Sequence, residues 1–235
     1  MSANKTLNAF IAGAGVCSRR KAVDLIKLGV VTVNGIVRTD AGYRVSSKDV
    51  IKVQGSLVKN PDEFVYILLN KPRDYITTCS DEKGRKTVMD LLDGLTQTVF
   101  PIGRLDRNTT GLLLFTNDGA FAQALSHPSK TVLKEYMVTT HIPIEQKDLE
   151  QIKKGITLDD GFVSIDGCKQ VDMHTAQITL HSGKYRIIRR IFEHFGYEVV
   201  RLDRIVYAGL TKKGLSLGSW RYLRQDEVEM LKRSK

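Results

Sequence analysis

Leu7, Phe10 and Ile11 recur at helical spacing and stop at Gly13-Ala14-Gly15, which predicts a short amphipathic helix. Ser18 is placed to cap a second helix, Arg19 to Leu28, whose inward face is Ala22, Leu25 and Ile26 and which Gly29 ends. The run Val30–Val33, then Asn34-Gly35, then Ile36-Val37 reads as a hairpin, because Asn-Gly supports the positive φ of a type I′ turn. Asp49–Val53 supplies a further strand, and Gln54 to Glu63, with Gly55, Asn60 and Pro61, reads as a linker. The expected domains are therefore residues 1–60 and 61–235.

Beyond the linker, strands alternate with short helices and no repeat period emerges. Phe64–Asn70 and Gly111–Thr116 are apolar strands, the second closed by Asn117-Asp118-Gly119; Ala120–Leu125 is a short helix. Lys134–Thr140 alternates as a strand, Glu145–Lys154 has helical period, and Ala176–Leu180 returns to a strand. Arg186–Phe195 is amphipathic, with Ile187, Ile188, Ile191, Phe192 and Phe195 inward and Arg186, Arg189 and Arg190 on the other side. Tyr197–Val200 is expected as a strand. Hairpin signals recur and long crossover helices are lacking, so the expected fold is α+β: a small N-terminal module followed by a larger, mainly antiparallel mixed-sheet domain.

Charge sharpens the picture. The 235 residues carry a net +10, distributed as +7 over residues 1–60, −4 over 61–183 and +7 over 184–235. Two basic ends flanking an acidic middle favour a polyanionic partner, since each Lys or Arg that neutralises a phosphate releases counterions; mere solubility is the plainer alternative. The longest clean apolar run, Phe64–Leu69, is six residues, far short of the ~18 needed to span a bilayer. No signal pattern opens the chain, and Cys17, Cys79 and Cys168 form no CxxC pair. The expectation is a reduced, cytoplasmic protein with no membrane partner.

Several familiar chemistries lose support. Gly13-Ala14-Gly15 has Ser18 where a dinucleotide fingerprint needs its third glycine, and no strand precedes it. Gly209–Ser216 lacks the Lys-Ser/Thr of a phosphate loop, and the five histidines show neither HExxH nor a helical pair, so no metal is expected. What remains is Pro101–Gly119, where Arg104-Leu105-Asp106 precedes a strongly apolar strand. A carboxylate at the mouth of a buried strand suits chemistry, because backbone and basic groups can fix its orientation and ionisation. On spacing alone, a surface ion-pair cluster of Arg104, Asp106 and Arg107 accounts for the residues equally well.

The segment GRLDRNTTGLLLFTNDG closely resembles the signature of RNA pseudouridine synthases of the RsuA/RluB group. HPSKTVLKEYMV (His127–Val138) resembles that family's second segment, and HSGKYRIIRRIFEHFGYEVVRLDRI (His181–Ile205) its third. Residues 5–53 look like an S4 RNA-binding domain, the usual N-terminal partner in the group. The resemblance implies an isomerase that converts uridine to pseudouridine without a cofactor. It places the catalytic aspartate on Asp106, as nucleophile or as proton acceptor. It places a stacking tyrosine on Tyr136 and a cation able to hold the carboxylate on Arg189, with Arg190 the adjacent alternative. Ile187 stands where many relatives have glutamine. Arg104 and Arg107 are expected at phosphates or in the gap left by a flipped base, and Lys184 and Arg190 also at the RNA.

In the S4-like part, Arg19, Arg20 and Lys21 open a helix, Lys27 follows on it, and Asn34 and Arg38 lie on the neighbouring hairpin, a pattern suited to a phosphate backbone. The implied partner is ribosomal RNA, free or in a pre-ribosomal particle, bound by a monomer. KPRDYITTCSDEKGRKTVMDLL and FEHFGYEV look closer to large-subunit members of the group. A small-subunit target, and a non-catalytic assembly factor of the same fold, are the competing readings.

Overall fold

The computed structural model describes residues 5–59, 63–126 and 132–233. The chain forms two compact units: the described part of Met1–Val65 with Thr96–Val99 and Asn117–Gly119, and the described part of the remainder.

The first unit contains β1 (Lys5–Thr6), α1 (Leu7–Gly13), α2 (Arg19–Lys27), β2 (Val31–Val33), β3 (Ile36–Val37), β4 (Arg44–Val45), β5 (Ile51–Val53) and β6 (Ser56–Val58). Ser18 caps α2 as expected, its hydroxyl accepting from Lys21 N at 3.2 Å. Asn34 (φ 54°) and Gly35 (φ 80°) turn the β2–β3 hairpin. The expected linker is corrected at its start. Gln54 (φ 50°) and Gly55 (φ 80°) make a second tight turn, and Ser56–Val58 pairs antiparallel with Ile51–Val53 to complete a sheet in the order β3-β2-β5-β6. Gln-Gly is a weaker turn signal than Asn-Gly, and only Val58 of the added strand is buried. Asn60 and Pro61 lie outside the described residues. Leu7, Ile11, Ala22, Ile26, Val31 and Ile51 form the core of the unit.

The second unit runs β7 (Tyr66–Lys71), a 3₁₀ turn (Val88–Leu91), β8 (Phe100–Ile102), β9 (Thr109–Thr116), α3 (Gly119–Ser126), β10 (Lys134–Thr140), α4 (Gln146–Lys153), β11 (Ile156–Leu158) and β12 (Gly161–Val163). It continues with β13 (Gly167–Asp172), β14 (Thr175–Leu180), α5 (Ile187–His194), β15 (Val199–Tyr207), β16 (Leu210–Thr211), β17 (Trp220–Tyr222) and α6 (Gln225–Arg233). Nine strands make one sheet along the path β13-β14-β10-β15-β9-β7-β17, with β8 on β9 and β16 on β15. Of these pairings only β15–β9 is parallel, so the sheet is mixed and mainly antiparallel. None of the helices in the described residues is long and apolar enough to cross a membrane.

The strand expected at Tyr197–Val200 instead begins at Val199 and runs nine residues to Tyr207. Tyr197 serves another purpose: its hydroxyl donates to Asp148 at 2.6 Å and accepts from Glu145 N. The charged residues of VVRLDRIVY disguised the rest, because Arg204 lies on the buried side. Two apolar clusters support the sheet. One gathers β10, β14, α4 and α5 around Ile178, Ile191 and Phe192; the other gathers β7, β9, α3 and α6 around Leu112, Leu114 and Phe121.

Candidate active site

A cleft of ≈ 750 Å³ opens in the second unit, and both clusters contribute to it: Tyr136, Ile188 and Leu202 from one, Leu125, Val132 and Tyr207 from the other. Its floor is the face of β10 and β15. Asp106 stands at the edge, in the loop before β9, half-buried.

The parallel pairing brings that loop to the floor, setting Thr109–Gly111 against Leu202–Arg204. Gly111 (φ 105°) is required here, since a Cβ would lie 2.3 Å from the Arg204 carbonyl oxygen and 2.6 Å from its nitrogen. Lys71, wholly buried at the end of β7, fixes the loop from beneath. Its Nζ donates to the carbonyls of Pro72 (2.9 Å), Asp106 (3.2 Å), Arg107 (3.2 Å) and Thr109 (3.0 Å). Burial pushes the Lys71 pKa down to about 8, opposed by the negative fields of Asp106 and Asp74. Thr77 completes the anchor, donating to the Leu105 carbonyl at 2.7 Å and accepting from Leu105 N. These contacts hold the backbone and leave the carboxylate free. Among the described residues no ion pair or side-chain hydrogen bond engages the Asp106 oxygens.

The expected grip of Arg189 on Asp106 is not formed among the described residues. Arg189 is on the buried side of α5, only 9% exposed, and its Nη1 donates to the Val199 carbonyl at 2.7 Å. Burial lowers its pKa, with Arg186 adding to the fall, while Asp106 is near enough to oppose it. Arg189 thus lies near Asp106 without bonding it, and ties α5 to the start of β15. The long side chain reaches the strand because Ile188 and Phe192 draw α5 down onto the sheet.

Tyr136 is 8% exposed on the cleft floor, directly across from Arg204 in the β10–β15 register. Arg104 is exposed and lines the cleft. Arg107 is exposed and pairs with Asp74 at 3.2 Å. Lys184 lines the cleft but bonds the turn between β11 and β12, donating to the Asp160 carbonyl at 2.7 Å. Arg190 joins it there, gripping the Asp160 carboxylate with two bonds of 2.8 and 2.9 Å, away from Asp106. Arg186 enters α5 in the left-handed region (φ 46°) and pairs with Glu193.

A family model for RNA pseudouridylate synthase matches residues 65–194, and one for the S4 domain matches residues 6–51. The chain belongs to the RNA pseudouridylate synthase family. The ribosomal large subunit pseudouridine synthase B of Bacillus subtilis (strain 168) is 43% identical over 234 residues, 96% of this chain and 95% of that one. The dual-specificity RNA pseudouridine synthase RluF of Escherichia coli (strain K12) is 36% identical over 224 residues, covering 94% of this chain and 76% of that protein. A crystal structure of a pseudouridylate synthase superposes with a TM-score of 0.71 at 28% identity, covering 96% of this chain and 99% of that one.

Within this pseudouridylate synthase, the S4 unit presents Arg19, Arg20, Lys21 and Lys27 to solvent with no ion pair among the described residues. Asn34 is committed to its own turn: it donates to Asp49 Oδ1 and accepts from Val50 N, both at 2.9 Å. Arg38 lies over the Tyr43 ring at 4.7 Å. His127–Thr131 of the second motif lies outside the described residues. Sequence reasoning missed Lys71, Lys134 and Arg204. The signal for Lys71 was present, a lysine ending an apolar strand just before Pro72.

Proposed function

We propose that this protein isomerises uridine to pseudouridine in large-subunit ribosomal RNA, with Asp106 as the group that meets the ribose of a flipped nucleotide. The observation that carries the reading is a carboxylate, free of partners among the described residues, at the edge of a cleft floored by Tyr136. The reaction breaks the N1–C1′ bond and joins C5 to C1′; the C5 proton leaves to solvent and N1 gains one, so composition is unchanged. No electron acceptor enters that balance, which agrees with the expectation of no cofactor. Tyr136 offers a flat face for the extruded uracil, and such stacking contributes ~1–3 kcal/mol per base. Arg189 supplies a positive charge near Asp106. Arg104 and Arg107 meet the RNA at the cleft mouth, and Arg19, Arg20, Lys21 and Lys27 bind backbone phosphates on the S4 unit.

Support for the large-subunit target is the likeness to the Bacillus subtilis synthase B along nearly the full length of both chains. A cytoplasmic monomer acting on RNA before or during ribosome assembly fits the same reading. Tritium release from C5-labelled uridine in unmodified large-subunit RNA tests it, with Asp106→Asn as control. Release by the native protein, abolished in the variant, is expected. Undiminished release by the variant removes Asp106 from the chemistry. Carbodiimide-dependent reverse-transcription stops in RNA from cells with and without the gene then locate the target uridine; a stop lost only from small-subunit RNA overturns the large-subunit assignment.

A further inference from the structure

Lys134 and Arg204 are two cations held side by side in the cleft floor with no carboxylate paired to either among the described residues. Lys134 lies two residues before Tyr136 on β10, so both side chains share the cleft face. Its Nζ donates to the carbonyls of His181 (2.7 Å), Val132 (3.2 Å) and Ser182 (3.4 Å). Arg204 is 4% exposed; its Nε donates to the Leu112 carbonyl at 2.8 Å and its guanidinium carbon lies 4.4 Å from the centre of the Tyr207 ring. Its Nη2 is buried with no hydrogen-bond partner among the described residues. The carboxylates nearest in sequence are engaged elsewhere: Glu135 accepts from Gln177, and Asp203 pairs with Lys212.

The backbone is shaped to produce this pair. Glu135 opposes Val206 whereas Tyr136 opposes Arg204, so Ile205 is an extra residue in β15. That bulge turns both Arg204 and Tyr207 onto the cleft face, three positions apart, where an unbroken strand would send them to opposite faces. An unpaired buried guanidinium is costly, and a second cation beside it adds repulsion. Burial, with the Arg204 charge behind it, brings the Lys134 pKa down to about 8. A neutral uracil carbonyl would leave the repulsion between the two cations in place. An anion beside them offsets it, and RNA supplies one with every nucleotide.

We propose that Lys134 and Arg204 form a phosphate-binding subsite in the cleft floor, holding a phosphodiester that flanks the nucleotide stacked on Tyr136. The inference rests on the RNA-isomerising reading and assigns that site its backbone contact. The flipped nucleotide is then held at two points, ring and phosphate, which fixes C1′ relative to Asp106.

The test uses the full-length protein carrying Asp106→Asn, which binds without turnover, and an RNA fragment spanning the mapped target uridine. That fragment is made in three forms: natural, with a neutral methylphosphonate at the 5′ linkage, and with one at the 3′ linkage. One neutral linkage should weaken binding about tenfold, the scale of a charge-assisted hydrogen bond. Adding Arg204→Gln or Lys134→Gln should reduce that penalty to twofold or less, and Arg204→Lys should keep most of it. A merely structural role for these residues would weaken all three RNAs alike and leave the ratios untouched. The subsite is overturned if neither linkage matters to the starting protein, or if the penalty survives in both glutamine variants. Failure of tritium release from every ribosomal RNA uridine overturns the parent reading, and the subsite with it. Release with an unchanged methylphosphonate ratio removes the subsite alone.

Discussion

Replacing Lys71 by methionine should separate the stability of the protein from the placement of its carboxylate. The ammonium bonds four carbonyls, of which Asp106 O also receives Thr109 N and Arg107 O also receives Asp74 N. The Pro72 carbonyl, outside any strand and with no other donor among the described residues, therefore suffers most, at ~1–3 kcal/mol for a buried acceptor left unmet. Against this, the variant no longer buries an ammonium. The fall in pKa from 10.5 to about 8 corresponds to at most about 3 kcal/mol recovered below that pKa. The two effects nearly cancel, so denaturant unfolding should show a loss of about 0–3 kcal/mol. Catalysis has no such compensation. Residues 104–109 lose their anchor, and a misplacement of ~1 Å typically costs ~100-fold in rate. Single-turnover tritium release should fall about that much, with KM for RNA within a few-fold. A pH signature accompanies it. The lysine pKa is depressed in the native state, so between pH about 8 and 10.5 the unfolded chain binds the extra proton and this group's contribution to stability rises with pH. Native protein should show that upward contribution relative to Lys71→Met, which lacks it. A variant with native kcat, or with the same pH slope as the native protein, would refute the reasoning.

Tyr136→Phe should keep RNA binding within about threefold, whereas Tyr136→Ala should lose ~1–3 kcal/mol of it; equal losses in a filter-binding assay would argue against a stacking surface. Reversing the charges of Arg19, Arg20 and Lys21 should weaken RNA binding and flatten its dependence on salt, the log–log slope falling by about two or more. An unchanged slope would locate the RNA anchor elsewhere. Gly111→Ala forces a Cβ into the Arg204 backbone at a positive φ, so a loss of about 3 kcal/mol or more is expected in thermal unfolding. Native stability in that variant would mean that β9 and β15 are not closely paired.

Periodicity alone revealed α2, α4 and α5 as helices and the Asn34-Gly35 hairpin, because few residues tolerate that turn; it put Arg189 on the outward side of α5, whereas that residue is buried beside Ile188 and Phe192. It missed β6, whose turn begins with Gln54 and whose outward residues Ser56 and Leu57 are exposed. It shortened β15 because Arg201, Asp203 and Arg204 look like a surface stretch until Arg204 is seen buried. At the site, Asp106 and Tyr136 were legible through the resemblance of their segments to a family, and both line the cleft. The Arg189 contact was not legible. Sequence can put a guanidinium on a helix, but which of two oxygens it reaches, Val199 carbonyl or Asp106 carboxylate, depends on distances set by the packing of α5. Lys71 and Lys134 were hidden for a related reason, since a lysine satisfied wholly by backbone carbonyls leaves no side-chain partner to suggest it.

Of all the sheet pairings, β9 with β15 spans the widest stretch of chain outside β17 and β7, joining Thr109–Gly111 to Leu202–Arg204. On the ribosome, where residues emerge in order, the S4 unit is complete long before that closure can occur. A nascent chain stopped short of residue 200 has its Asp106 but not Leu202, Arg204 or Tyr207 to lie beneath a substrate. The cleft is therefore among the last features of the fold that synthesis can complete, since its floor needs β15 as well as the loop that carries Asp106.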